Sequence, residues 1–151
     1  MQIRDALPSD RDFIETLGKR TVMDSVSAGR NADPEKVLRS YDRLLDIVNG
    51  QSHVSLIVEV DGRRAGFLLL LDALPDEVTG EDQGFIAYMA VDGAYRRSGV
   101  ASKLLERAED EARKRSLPYM RLMVTEENEP ARALYERAGY VTERRLLCKT
   151  L

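Results

Sequence analysis

A strand–helix–strand pattern in the carboxy-terminal half constrains the fold of this chain more than any other feature. Residues 84–91, GFIAYMAV, and residues 119–125, YMRLMVT, are rich in β-branched, aromatic and other apolar residues. Between them, apolar residues recur at helical spacing in a segment that begins after Gly99. Two strands joined through such a helix lie parallel with a right-handed crossover. The sequence therefore predicts a sheet with at least one helix packed on it.

The other segments complete an α/β chain, with a mixed, mostly antiparallel sheet and helices on both faces. Capping residues and helical spacing indicate the helices, and β-branched runs bounded by turn residues indicate the strands. Asp33 is the expected cap of the second helix, and Asp61–Gly62 predicts a tight hairpin turn. The predicted order is βααβββαβαβ: a strand at 1–6, a helix from a cap at Ser9 or Asp10 to about Ala28, a helix at 31–50, strands at 53–60, 63–72 and 84–91, the helix after Gly99, a strand at 119–125, a helix at 129–139 and a last strand at 140–150.

Composition favours one globular domain spanning residues 1–151. The net charge of −3 argues against a general nucleic-acid binder. A single cysteine, Cys148, and a single histidine, His53, argue against a disulfide framework and against a thiolate or histidine metal site. The charged amino terminus does not resemble a signal peptide, and the longest apolar run, residues 65–71, is too short to cross a bilayer. We expect a cytoplasmic protein without a metal.

Positive charge gathers where the helix after Gly99 begins. The first turn of a helix leaves backbone N–H groups unpaired, and the aligned peptide dipoles add partial positive charge there. Arg96 and Arg97 can bind phosphate oxygens, Ser98 and Ser102 can donate hydrogen bonds, and Gly99 has no side chain to obstruct an anion. The alternative is that Ser98 caps a surface helix beside two solvated arginines.

Two motifs together resemble the GNAT superfamily of N-acetyltransferases. VDGAYRRSGVA, residues 91–101, resembles the family's coenzyme A signature, Arg/Gln-x-x-Gly-x-Gly/Ala, although Gly93 stands where many members have proline. NEPARALYERAGY, residues 128–140, resembles the second signature, Asn-x-x-Ala-x-x-Leu-Tyr-x-x-x-Gly-Phe/Tyr. The predicted order of elements also matches the family fold. The matching positions are Arg96, Gly99 and Ala101 in the first motif and Asn128, Ala131, Leu134, Tyr135, Gly139 and Tyr140 in the second.

The resemblance implies an acetyl-CoA-dependent N-acetyltransferase, in which an amine attacks the thioester directly. It places the diphosphate on the amides of residues 96–101 and the pantetheine arm beside residues 89–91, with a backbone N–H near Ala90 as the oxyanion donor. Tyr135 resembles the family's general acid for the departing thiolate, and its alternative role is that of a core aromatic. The expected coenzyme-binding residues are Met89, Ala90, Val91, Arg96, Arg97, Ser98, Gly99, Val100, Ala101, Ser102 and Asn128.

Other roles stay open at this stage. Asn128 either contacts the pantetheine or caps the next helix, Arg132 either approaches the adenosine phosphates or is solvated, and core packing suits Tyr140 better. Water can replace a dedicated general base. The candidates for such a base are Glu77, Glu81, Asp82, Glu126, Glu127 and His53.

The acceptor is expected to be an amine of a small molecule or a peptide. By resemblance, its pocket involves residues 20–49 and 74–83, and no nucleic acid or membrane partner is expected. Alternation in the predicted last strand suggests an edge through which a homodimer could form. The main rival function is a non-catalytic module that senses acyl-CoA. A nucleotide-binding helix terminus unrelated to coenzyme A is disfavoured, because no lysine-containing phosphate loop is present.

Overall fold

The computed structural model describes all residues, Met1–Leu151, and contains a five-stranded sheet between two layers of helices. No helix combines the length and the apolar content needed to cross a bilayer. The main elements are β1 (Gln2–Asp5), α1 (Arg11–Thr21), α2 (Pro34–Asn49), β2 (His53–Val60), β3 (Arg63–Leu71), β4 (Gly84–Val91), α3 (Val100–Lys114), β5 (Met120–Leu122) and α4 (Glu129–Arg137).

The strands lie in the sheet in the order in which they occur in the chain, β1-β2-β3-β4-β5. Pairing is antiparallel from β1 to β4 and parallel between β4 and β5, which confirms the predicted crossover through α3. The β2–β3 hairpin turns through Asp61 and Gly62, both with positive φ (50° and 73°), as the Asp-Gly pair predicts. The mixed, mostly antiparallel sheet is therefore confirmed.

Helices cover both faces of the sheet. On one face, α3 buries Val100, Leu104 and Leu105 against residues of β2, β3 and β4. On the other face, Leu17 of α1 and Val48 of α2 join a second cluster. Because both faces are covered, the central strands are apolar on both sides instead of alternating, and seven of the nine residues of β3 are buried.

The predicted ends of α2 are confirmed, whereas the predicted end of α1 is wrong. The Asp33 side chain accepts from the Glu35 N–H at 3.0 Å, and α2 ends at Asn49. The first helix stops at Thr21 and continues as a 3₁₀ turn, Val22–Ser25, instead of reaching Ala28. Ser27 and Gly29 follow, and both residue types have a lower helix propensity than alanine.

Asp10 has a different role from the predicted cap of α1. Its carboxylate forms no capping hydrogen bond and is fully buried. It accepts instead from the guanidinium groups of Arg4 and Arg64 at 2.6 Å each and from the Leu7 N–H at 2.8 Å. The buried carboxylate therefore ties β1 and β3 to the start of α1.

The predicted last strand is wrong, and β5 is shorter than predicted. Residues 141–151 are exposed and form no backbone–backbone hydrogen bond. In a strand, alternate residues share a face, so Val141 and Leu147 would lie beside Glu143 and Arg145, and neither face would be apolar. The charged residues form ion pairs instead: Glu143 with Arg121 at 2.9 Å, and Arg144 with Asp76 at 2.9 Å. The edge strand expected to support a homodimer is therefore not formed.

Candidate active site

β4 and β5 diverge at their carboxyl ends. Their pairing stops at Ile86 and Leu122, while β4 continues to Val91. Within β4, Tyr88 lies opposite Leu69 and Ile86 opposite Leu70, so Ala87 is an extra residue, a β-bulge. Bulges bend a strand and interrupt its pairing. The last five residues of β4 therefore border a gap with no strand on that side.

The register also determines which backbone groups face this gap. Asp92 donates its N–H to the Ala65 carbonyl of β3 at 2.8 Å. Because backbone groups alternate along a strand, the Ala90 N–H also points to β3, whereas Met89 and Val91 face the opposite edge. The donors near Ala90 that face the gap are thus the N–H groups of Met89 and Val91.

The turn before α3 presents a row of backbone donors. None of the six consecutive N–H groups from Arg97 to Ser102 has an acceptor within the protein, and α3 has no side-chain cap. Arg97 and Gly99 both have positive φ (60° and 81°), which turns successive N–H groups toward a common concave side. This arrangement, at the positive end of the helix dipole, is suited to an anion.

The side chains of this turn leave the backbone donors accessible. Ser98 donates its hydroxyl to the Tyr95 carbonyl at 2.5 Å, so the alternative in which Ser98 caps the helix is wrong. Arg96 and Arg97 are exposed, and Arg96 lies 3.8 Å from Asp24. Val100 is buried and Ala101 half-buried, which anchors the first turn of α3 to the sheet. Two guanidinium groups therefore flank an open row of N–H groups.

Tyr135 extends from α4 toward the same region. Asn128 caps α4 by accepting from the Ala131 N–H at 3.4 Å, which confirms the capping alternative. Tyr135 packs on the α3 side of the sheet, together with Met89 and Val91. Its hydroxyl forms no hydrogen bond within the protein, and burial raises its pKa above the ordinary value. Tyr135 is thus a protonated, unpartnered hydroxyl on the same side of the sheet as Met89 and Val91.

Tyr140 lies behind Tyr135 and has a packing role. The two rings meet edge to face, with centroids 5.9 Å apart. The Tyr140 hydroxyl is buried without a hydrogen-bond partner.

Most candidates for a general base lie at the wrong end of the sheet. His53 pairs with Leu71, which pairs with Phe85 at the start of β4. Six residues of strand separate Phe85 from Val91, a distance of about 20 Å. The loop before β4, which contains Glu77, Glu81 and Asp82, is at this same distant end, where Glu77 pairs with Arg144.

The two candidates at the correct end already have partners. Glu126 lies 3.3 Å from Arg132. Glu127 accepts from the Ser27 hydroxyl at 2.9 Å and the Ala28 N–H at 3.3 Å, and these bonds lower its pKa. No carboxylate among the predicted bases is therefore both near the gap and unpartnered.

The segment between α1 and α2 borders the gap on the side opposite Tyr135. Thr125, just after β5, donates to the Ser25 carbonyl at 2.7 Å, and Glu127 holds Ser27. Thr21, at the end of α1, contacts the Tyr88 hydroxyl of β4 at 3.0 Å. The sequence analysis did not identify Thr21 or Tyr88, because only tertiary contact brings residues 67 positions apart together.

Known proteins share this fold. A model of the acetyltransferase (GNAT) family matches residues 23–140. A Pyrococcus furiosus protein named as an acetyl transferase superposes with a TM-score of 0.83 at 21% identity, over 99% of each chain. A ribosomal-protein-alanine N-acetyltransferase from Brucella melitensis gives 0.70 at 21% identity, over 99% of this chain and 98% of that one. A predicted acetyltransferase from Clostridium acetobutylicum, solved with acetyl-CoA, gives 0.66 at 21% identity, over 99% and 95%.

At these identities the solved structures establish the fold alone. The family model covers well over half of the chain and includes the anion-binding turn, the gap and Tyr135. The chain therefore belongs to the GNAT acetyltransferase family.

Proposed function

We propose that this protein transfers the acetyl group of acetyl-CoA to a primary amine of a small molecule or a peptide. One observation carries the proposal: six adjacent N–H groups without acceptors, Arg97–Ser102, follow the strand whose free edge borders the gap. A diphosphate matches the first feature, and an arm that carries amides matches the second. Coenzyme A combines both groups.

The residues present fit the coenzyme. The N–H groups of Arg97–Ser102 would hold the diphosphate, with the guanidinium groups of Arg96 and Arg97 beside it. The backbone of Met89 and Val91 would pair with the pantetheine amides. When bound, acetyl-CoA supplies an acetyl group activated as a thioester.

Two groups of the chain would then assist acyl transfer. The N–H of Met89 or Val91 faces the gap and can stabilise negative charge that develops on the carbonyl oxygen. The Tyr135 hydroxyl is protonated and has no protein partner, so it can give a proton to the departing sulfur. Since Glu126 and Glu127 already have partners, we assign removal of the amine proton to water.

The lack of an unpartnered carboxylate among the predicted bases near the gap also favours a second candidate, a module that binds acyl-CoA without turnover. The two functions share the coenzyme site and differ only in the chemical step. Tyr135 favours the enzyme, because a module that only binds has no need of an acid there. An assay of turnover separates them.

The test has two stages. Acetyl-CoA at a hundred times its dissociation constant should stabilise the fold by about 2.7 kcal/mol, measured by thermal unfolding. Release of free thiol is then followed with three amines: a tetrapeptide that begins with alanine, kanamycin and spermidine. The first two represent the acceptors named for the Brucella enzyme and for an aminoglycoside 6'-N-acetyltransferase of the same fold. Amine-dependent thiol release supports the enzyme; binding without release supports the sensor; no stabilisation contradicts both.

Gly99→Ala should weaken the binding of acetyl-CoA by roughly tenfold, because a methyl group would occupy the space through which the anion reaches the N–H groups. A Cβ there meets no protein atom within 4 Å, so packing is preserved. The φ of 81° adds a cost to stability of about 1 kcal/mol. Calorimetric titration measures the affinity.

Gly80→Ala is the matched control. Gly80 has a φ of 71° and equally open surroundings, but it lies in the loop before β4. The Gly80→Ala variant should lose about as much stability as Gly99→Ala and keep the wild-type affinity for acetyl-CoA. Equal affinities in the two variants would contradict the proposed position of the diphosphate.

A further inference from the structure

The sheet has two faces beside the gap between β4 and β5, and α4 packs on the same face as α3. Leu134 and Tyr135 of α4 pack against the same buried cluster as Met89 and Val91. If Tyr135 protonates the departing sulfur from this face, the other face is left for the approach of the amine. That second face is bordered by α1 and by the Tyr88 side chain.

Tyr88 carries a hydroxyl group to this second face. Its oxygen lies 3.0 Å from the Thr21 Oγ1 and 3.5 Å from the Gly18 carbonyl oxygen. Tyr88 directly precedes Met89, whose backbone faces the gap, and it follows the bulge at Ala87. The Tyr88 backbone is thus on the strand segment that borders the proposed thioester site, and its hydroxyl lies against the end of α1.

The hydrogen bonds leave the Tyr88 oxygen able to accept another one. The Thr21 Oγ1 lies 3.0 Å from the Leu17 carbonyl and 3.2 Å from the Gly18 carbonyl, so it donates its single hydrogen to the helix backbone. Tyr88 therefore donates to Thr21 or to the Gly18 carbonyl, the Ser25 hydroxyl occupies one acceptor position, and a second lone pair of the Tyr88 oxygen stays available. An amine or ammonium N–H is the complementary donor.

Packing fixes the position of this hydroxyl. The Tyr88 ring stacks on Phe67, with centroids 5.9 Å apart, and meets the buried Tyr41 ring edge to face at 5.1 Å. Tyr41 is itself held by a 2.8 Å bond from its hydroxyl to the Ile14 carbonyl. The acceptor oxygen is therefore preorganised, which reduces the entropic cost of binding a donor.

We propose that the Tyr88 hydroxyl, oriented by Thr21, accepts a hydrogen bond from the substrate amine and directs it toward the thioester beside Met89. The inference rests on the proposed acetyltransferase function. The hydrogen-bond chain ends on a backbone carbonyl, which cannot pass a proton on, so Tyr88 positions the amine and does not deprotonate it. Burial raises the pKa of Tyr88, which likewise keeps the hydroxyl protonated.

The test compares wild type with Tyr88→Phe, Thr21→Val and the double variant, using the amine of the three that wild type acetylates fastest. Tyr88→Phe should raise KM for the amine by at least about tenfold, because a hydrogen bond to a charged group is lost. Thr21→Val should raise KM less, and the double variant should be no worse than Tyr88→Phe alone. This non-additivity is expected only if the two hydroxyl groups act as one unit.

Two controls show whether a negative result contradicts the role of Tyr88 or the proposed function. Tyr119→Phe makes the same chemical change on an exposed ring at the start of β5 and should leave KM unchanged. All variants should keep the stabilisation by acetyl-CoA. If wild type releases thiol and Tyr88→Phe has an unchanged KM, or loses coenzyme affinity instead, the role of Tyr88 is overturned while the function stands. If wild type releases no thiol with any of the three amines, the proposed function and this inference both fail.

Discussion

Replacing Tyr135 by phenylalanine should lower kcat by about 10²-fold and leave the affinity for acetyl-CoA nearly unchanged. General acid catalysis contributes about 10²–10⁴-fold, and the lower end applies because water can partly replace the lost hydroxyl. The ring itself stays packed, since the Tyr135 hydroxyl forms no hydrogen bond within the protein that the variant could break. The rate should be measured in single turnovers, so that chemistry and not product release is observed.

Tyr140→Phe is the matched control for this variant. Tyr140 contacts the Tyr135 ring, and its hydroxyl is buried without a partner. Removing an unsatisfied buried hydroxyl should stabilise the fold by about 1 kcal/mol and leave kcat unchanged. If chemistry is rate-limiting and Tyr135→Phe reacts as fast as wild type, Tyr135 has only a packing role.

Asp10→Asn should destabilise the fold by about 3 kcal/mol, because a neutral amide would replace a buried carboxylate that binds two partly exposed arginines. Asp10 is fully buried and accepts from two arginines and one backbone N–H. Arg4 retains Glu59 at 2.6 Å, which limits the loss. The free energy of unfolding of a domain of this size is typically about 5–15 kcal/mol, so the expected loss is a large fraction of the total stability. Urea unfolding measures it, and a loss below about 1 kcal/mol would contradict the assigned role.

The same carboxylate makes the fold sensitive to acid. The Arg4 guanidinium, with help from Leu7 and Arg64, holds the pKa of Asp10 well below its usual range. Above pH of about 5, Asp10 is ionised in both the folded and the unfolded state, and its full stabilisation is present. Below that pH the unfolded state takes up a proton first, so the free energy of unfolding falls as pH falls.

Asp10→Asn should therefore lose less stability than wild type between pH of about 5 and about 2, measured by urea unfolding at each pH. Asp76 also has a lowered pKa, chiefly because its carboxylate accepts from the Thr79 N–H, so some acid sensitivity should persist in the variant. Parallel pH profiles for wild type and the variant would contradict the contribution of Asp10.

Elements with a distinct local pattern could be predicted from the sequence. The Asp33 cap and the Gly50 boundary fixed α2, and Asp61–Gly62 fixed the hairpin. The last strand failed because its alternation placed charged residues on both faces. The pairing of Glu143 and Arg144 with distant partners could not be anticipated, since it depends on tertiary contact.

The residues of the candidate site likewise fall into those that a local sequence pattern indicates and those that only tertiary contacts reveal. The two motifs pointed to the turn before α3 and to Tyr135 as candidates, because those residues are close in the chain and have a characteristic spacing. The list of possible bases could be reduced only with the strand register, which places His53 at the distant end of the sheet. Tyr88 was missed because nothing near it in the sequence indicates its contact with Thr21.

The central claim is that the backbone N–H groups of Arg97–Ser102 hold the diphosphate of the coenzyme. The most direct measurement is a titration of ¹⁵N-labelled protein with acetyl-CoA, followed by the amide resonances. The largest shift changes should fall on Arg97–Ser102, with further changes at Met89 and Val91 on the edge of the gap. Saturating acetyl-CoA that leaves the amides of this turn unmoved, or that shifts only resonances elsewhere, would contradict the account.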